Sequence, residues 1–248
     1  DEVLRRVGDR AGALVTVGAG RSALTRFANS RIHQNVESDE QQVRLQVLLD
    51  GGRSAQATTT RIDPEGLDRL VEGCLAAASL RPADPDHPGL AEPAALAEVD
   101  HWDDATAEAS PDARADVVAG VVGAGEGAEG GGHCSTEAPR HTIAPPTGTR
   151  AASRATMAQV DGIHRAAAPH GPPTDGCGQA TSVRLGDLDG SRVGAVAAAK
   201  ARAGADPIEL DPGTYEVVLE PRAVAALLLF PAWLGFNGKA HAEGTSFV

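Results

Sequence analysis

Two rhythms of apolar positions run along this chain. Residues 1–10 read as the end of an amphipathic helix, and residues 11–17 as a short apolar strand. Residues 24–38 hold Asn29-Ser30, a turn signal between two extended pieces. From 41 to 49 the pattern alternates strictly. Val43, Leu45 and Val47 point one way; Arg44, Gln46 and Leu48 point the other. Asp50-Gly51-Gly52 then turns the chain, and residues 53–60 return. The pattern predicts a meander of about four strands with one solvated face.

The rhythm then changes to helical. Asp63 is a good N-cap and Pro64 a good first helical residue. Leu67, Leu70, Val71, Cys74, Leu75 and Ala78 come next at helical spacing, which predicts a helix over 64–80. The proline-rich stretch 81–93 reads as a surface loop. Ser110-Pro111-Asp112 starts a second helix, to about Val122, and residues 123–132 form a glycine-rich break. The pattern weakens over 133–173, where a strand is expected near 156–163. Residues 189–203 predict an Ala-rich helix, 211–213 a turn, 215–219 a buried strand, and 221–234 a helix directly after it. Residues 227–234 are apolar almost all round, so burial in a core or an interface is expected. Pro231 is expected to kink or end that helix.

Composition sharpens this picture. Among 248 residues 42% are hydrophobic but only 3% aromatic, so the core must be built from Ala, Val and Leu. The formal net charge is −12 and Lys occurs only at Lys200 and Lys239, with the arginines scattered. Nucleic-acid binding, which needs clustered cations, is not expected. Cys74, Cys134 and Cys177 are odd in number and widely spaced, which argues against a disulfide framework. No apolar run is long enough to span a bilayer, and no secretory leader pattern opens the chain. A soluble, reduced, cytoplasmic protein with no membrane partner is expected. Both ends break into a pattern, at Asp1 and at Val248, so a piece of a longer protein is expected.

Several motifs tempt a chemical reading. Gly18-Ala-Gly20 after a strand mimics a dinucleotide fingerprint, but residues 24–30 read as strand and turn rather than helix, so a hairpin is expected. Gly125, Gly127 and Gly130 match the same spacing, yet they come after a helix and carry Glu126 and Glu129. His133, Cys134 and His141 form one cluster of metal-capable residues; His164, His170 and Cys177 form another. Neither has the spacing that makes zinc ligation specific. His241 and Glu243 stand two apart, which puts them on different sides of a helix or strand. Asp161, Asp175, Asp187 and Asp189 read as turn formers. No catalytic, cofactor-binding or metal-binding residue is assigned from these patterns.

Four segments in order resemble the TldD/PmbA family of modulator-of-gyrase metallopeptidases. They begin at Phe27, Arg154, Asp211 and Gly244, and read FANSRIH, RATMAQVDG, DPGTYEVVLEP and GTSF. The resemblance implies an α+β fold: an N-terminal α/β region with an antiparallel meander and flanking helices, leading into a truncated, mostly-β C-terminal half. It implies an N-terminal domain over 1–120, a central region over 121–210, and the start of the C-terminal domain over 211–248. Active members carry HExxxH on the helix after the VVLxP-like strand. There two histidines and a later cysteine hold zinc, and the glutamate activates water. The matching segment here, Arg222 to Leu234, has neither His nor Glu. The resemblance therefore implies the PmbA (TldE) side of a pair. The expected partners are an HExxxH-bearing sister subunit that holds the zinc, and a peptide or unfolded chain as substrate. Two alternatives stay open: an active peptidase with a divergent site completed by the absent half, and a non-enzymatic interaction protein.

Overall fold

The computed structural model describes residues 1–90, 97–145, 150–169 and 171–248. By its contacts the chain divides into two units, Asp1–Pro207 and Ile208–Val248.

The first unit is built on one long hairpin. Strand β1 (Gly12–Ala28) pairs antiparallel with β2 (Arg31–Leu49), and the turn between them is Asn29-Ser30. Both turn residues have positive φ, at 50° and 59°, which Asn and Ser tolerate better than bulky residues. Strand β3 (Arg53–Thr59) returns after Asp50–Gly52. The expected four-strand meander is thus three strands, because Gly18 and Gly20 do not interrupt β1. Strands β4 (Glu129–Ala144), β5 (Ala151–Arg154), β6 (Met157–Ala166) and β7 (Thr174–Ser182) complete the sheet. Its order is β3-β2-β1-β4-β6-β7, with β5 beside β4, and every pairing is antiparallel. The sheet crosses the expected domain boundary at 120/121, since β1 pairs directly with β4.

Helices α1 (Glu2–Val7), α2 (Pro64–Ser79), α3 (Asp104–Ala107), α4 (Pro111–Gly123) and α5 (Gly190–Ala203) belong to this unit. The starts of α2, α4 and α5 carry side-chain caps: Asp63, Ser110 and Asp189 accept from the amides of Gly66, Ala113 and Arg192. Two apolar clusters form beneath the helices. One joins Val3 and Val7 of α1 and Leu70, Val71 and Cys74 of α2 to Val15, Leu45 and Val47. The other joins Val118 and Val121 of α4 and Val193 of α5 to Phe27, Cys134 and Val160. Burying a Val, Leu or Phe side chain contributes about 1.5–3 kcal/mol. Helices gathered on an antiparallel sheet make the unit α+β, as expected.

The weak pattern over 133–173 conceals most of β4 and all of β5, while the strand expected near 156–163 is β6. The sheet carries glycine and alanine where long apolar residues would signal burial. A Cβ at Gly162 would strike Val121, and one at Gly176 or Gly178 would strike the α5 backbone. Close backbone approach replaces side-chain bulk, so the hydrophobic alternation disappears from the sequence. Part of the expected loop over 81–93 lies outside the described residues, as do residues 146–149 and His170.

In the second unit α6 (Pro221–Gly235) and α7 (Gly238–Ala242) are the described helices. Two expectations are corrected by this unit, the strand at 215–219 and a helix end at Pro231. Residues 215–219 pair with no strand among the described residues, and Val218 is 98% exposed. Their β-branched residues supply strand propensity, but a strand forms only against a partner edge. Helix α6 continues through Pro231 to Gly235, because losing one backbone bond does not stop a run of good helix formers. Its apolar side chains Leu227, Leu228, Phe230 and Trp233 stand open to solvent in this chain, as is expected if a core or interface beyond it is to cover them. The tail folds back on the end of α6, where the Ser246 hydroxyl donates to the Gly235 carbonyl (2.7 Å).

Candidate functional site

Two surfaces of the first unit gather chemistry. The first is the sheet face away from the helices. Side chains alternate across a strand, so the neighbours of the buried positions rise on this second face. Cross-strand rows set Ser22 opposite Ser38 and Glu137, and Gly18 opposite Gln42 and His141. A further row runs Arg26, His133, Asp161, Gln179 across β1, β4, β6 and β7. His133 Nε2 lies 3.9 Å from Asp161 Oδ2, and Gln159 also donates to that oxygen. The side chains of Gln42 and His141 lie over Gly18, and a shallow pocket of about 180 Å3 opens beside them, lined by Ser22, Glu40 and Glu137. This face offers donors and acceptors to an extended chain. Among the described residues no hydroxyl or thiol is hydrogen-bonded to a histidine, so no nucleophile–base pair is assembled there.

The second surface surrounds Trp102. The segment before α3 is pinned to the sheet: Thr156 N–H donates to the His101 carbonyl (2.7 Å), and Asp103 N–H donates to the Thr156 hydroxyl (3.0 Å). Asp103 caps α3 through Thr106, whose hydroxyl in turn accepts from Leu185 N–H (2.7 Å). The Thr106 hydroxyl and amide hold the Asp103 carboxyl below its usual pKa. Trp102 therefore stands fixed at the sheet edge, with its Nε1–H donating to Asp104 (2.7 Å). Two clefts meet at it. One, of about 560 Å3, is lined by Arg21, Asp39 and Arg140; the other, of about 990 Å3, by Glu98, His101, His141 and Arg154.

Beneath the sheet, Arg114 of α4 is fully buried, with no carboxylate bonded to it among the described residues. It donates to the Thr25 hydroxyl (3.2 Å), the Ala109 carbonyl (3.0 Å) and the Thr136 hydroxyl (3.4 Å), and Thr25 donates on to Asn35 (2.6 Å). Burial lowers the pKa of this guanidinium. Burial also pushes the neighbouring Cys134 thiol up to about 11, although Arg114 opposes the shift. Nothing in the sequence signals this contact, since an arginine on an amphipathic helix is ordinarily solvated.

The motifs singled out in the sequence scatter. Gly18 and Gly20 lie inside β1, with no helix behind them. Gly125 and Gly130 leave room for the buried ring of His164, whose Nε2 lies 2.9 Å from the Val121 carbonyl. His133, Cys134 and His141 share β4, but Cys134 points into the core and the histidines away from it. His164 and Cys177 sit on β6 and β7 with opposite facing; His170 lies outside the described residues. Asp189 caps α5, Asp187 accepts from Ser182 (2.7 Å), and Asp175 clamps Arg165 (2.7 Å). His241 lies on α7 with Nδ1 3.0 Å from the Val248 carbonyl, and Glu243 ends the same helix. Among the described residues no three His, Cys, Asp or Glu are grouped to hold a metal ion. Sequence reasoning missed Trp102, Arg140 and Arg154. Their one available signal was Trp102 itself, one of two tryptophans in an aromatic-poor chain.

Helix α6 occupies the position where the resemblance places HExxxH, and it holds no His, Glu or Cys. Its side chains therefore offer no His, Glu or Cys ligand set for a zinc ion at that helix.

Residues 15–78 match the model of PmbA/TldA metallopeptidase domain 1. Among curated proteins none matches. The solved structures that match include a candidate modulator of DNA gyrase from Bacteroides thetaiotaomicron, at 15% identity and TM-score 0.81 over 96% of this chain and 56% of that one. TldE from Thermococcus kodakarensis matches at 18% and 0.72 over 80% of this chain and 45% of that one. A candidate gyrase modulator from Thermotoga maritima matches at 15% and 0.71, over 82% and 46%. The chain thus spans about half the length of these structures. Among the described residues no helix is long and apolar enough to cross a membrane. Residues 15–78 thus resemble PmbA/TldA metallopeptidase domain 1, and the fold around them is similar to that of these solved structures, in line with the sequence resemblance.

Proposed function

We propose that this chain serves in a TldD/PmbA-type metallopeptidase system as the subunit without its own zinc, shaping the surface along which a peptide or unfolded chain is held. The observation that carries this reading is helix α6: at the place of the HExxxH motif it presents Ala, Leu, Phe and Trp. The domain-1 match and the likeness to TldE support it. Catalysis then belongs to an HExxxH-bearing sister subunit that holds the zinc. The uncovered sheet face suits an unselective holding role, because hydroxyls, amides and imidazoles can bond peptide backbone without reading side chains. The cytoplasm is the proposed compartment.

The test is affinity purification of the full-length protein from its own cells, with partner identification and a zinc assay. Co-elution with an HExxxH-bearing sister that carries the zinc is the expected result. Stoichiometric zinc on the protein alone would sink the reading in favour of a divergent catalytic site. Recovery alone and without metal would move the interaction-protein reading to the front.

A further inference from the structure

Arg140 and Arg154 face each other across the β4–β5 pair. Both guanidinium carbons stand over the Trp102 ring, each 4.7 Å from its centroid. Like charges placed directly opposite on a sheet repel, and the indole face offsets part of that repulsion. Elsewhere in this chain arginines clamp carboxylates: Arg21 holds Glu37, Arg61 holds Asp63, and Arg165 holds Asp175. Among the described residues neither Arg140 nor Arg154 has such a partner, although both are exposed and free to seek one. The platform beneath them is rigid, held by Asp104 at the indole nitrogen and by Thr156 through the flanking backbone.

We propose that the Arg140–Trp102–Arg154 cluster is a carboxylate-binding site that anchors an extended peptide by its C-terminus or by an acidic side chain. A guanidinium presents parallel N–H groups that match a planar carboxylate, and stacking on an indole leaves those edges free. The two clefts meeting at Trp102 give the rest of the peptide a path. Their walls narrow the ligand class. Glu98 and Asp100 line one cleft, and Asp39 and Glu108 the other. These acids repel a polyanion such as nucleic acid but accept a single carboxylate flanked by neutral or basic residues. The inference rests on the proposed function only for the choice of a peptide as ligand.

The experiment uses the whole chain carrying Trp233→Phe, which leaves Trp102 as the one indole. A short Ala/Gly/Leu peptide with a free C-terminus is titrated by fluorescence and calorimetry beside its amidated twin. The expected result is a saturable change in Trp102 emission with the free acid, weakened about tenfold or more by amidation, by high salt, and by Arg140→Gln or Arg154→Gln. Thermal melts check that the variants stay folded. Equal binding of acid and amide, or unchanged binding by both arginine variants, overturns the site. So does tighter binding of an oligonucleotide than of the free-acid peptide. Failure of this site and failure of the proposed function are distinguishable. A zinc-bearing sister that co-purifies equally with wild type and the arginine variants, with no carboxylate preference, removes this site and leaves the subunit role. Carboxylate preference without any sister does the reverse.

Discussion

Arg114 sets the energetic stakes at the scale of single residues. A buried cation bonded only to hydroxyls and one carbonyl keeps its place because every neighbour is arranged around it. Arg114→Ala should lose roughly 2–4 kcal/mol, from the cavity and from orphaned partners, read by urea unfolding. Arg114→Met, similar in length and uncharged, should lose less. Cys134 gives a chemical readout of the same region. With its thiol pushed up to about 11, it should resist alkylation at mildly alkaline pH in the folded protein. The half-buried Cys177 should be labelled first, and peptide mapping by mass spectrometry decides this. Carboxylates set the acid limit. Asp103 is held low by Thr106, Asp63 by Arg61, Glu37 by Arg21, and Asp175 by Arg165. A lowered native pKa favours the folded state in full above the ordinary carboxylate value of about 4, and that help fades as pH falls through the native value. Melting temperature should therefore drop on the acid side of that range, with a shallower drop in Asp103→Asn.

At the scale of elements, glycine decides where helices meet. Helices α4 and α5 cross so closely that a Cβ at Gly190 would overlap the Val117 carbonyl, and one at Gly194 the Val121 carbonyl. In a helix interior, alanine usually stabilises by about 0.5–1 kcal/mol over glycine. Gly73 of α2, with open space around its Cα, should show that ordinary gain on substitution by alanine. Gly194→Ala should reverse the sign and destabilise, and denaturant melts of the pair make the comparison. Helix starts were readable from the chain because Asp63-Pro64, Ser110-Pro111 and Asp189 act through bonds three residues away. Strand β4 was not, because Gly130 and Gly132 announce flexibility in sequence but serve close packing in the fold, whereas β6 was legible despite Gly162.

On the scale of the whole molecule, the uneven distribution of exposed apolar surface stands out. Leu227, Leu228, Leu229, Phe230, Trp233 and Leu234 are all open on α6, and Val217 and Val218 precede them. Contiguous apolar surface of this kind drives association. The chain on its own should sediment as concentration-dependent oligomers, and Leu228→Asp with Trp233→Ser should shift it toward monomer. Unchanged sedimentation of the double variant would mean that another surface drives the association.

Local physics explains what the sequence determined alone. The Asn29-Ser30 and Asp50-Gly51-Gly52 turns, the alternation over 43–47, the capped helices and the lack of HExxxH each depend on neighbours within a few residues. Only the tertiary structure decided the rest. Glycine's role depends on what comes near it, as His164 does to Gly125. A strand exists only against an edge, so among the described residues Val217 and Val218 stay unpaired despite their propensity. The meeting of Trp102 with Arg140 and Arg154 joins segments that lie far apart along the chain. No local pattern encodes that approach; the antiparallel register of β4 with β5, and the bonds of Thr156, bring them together.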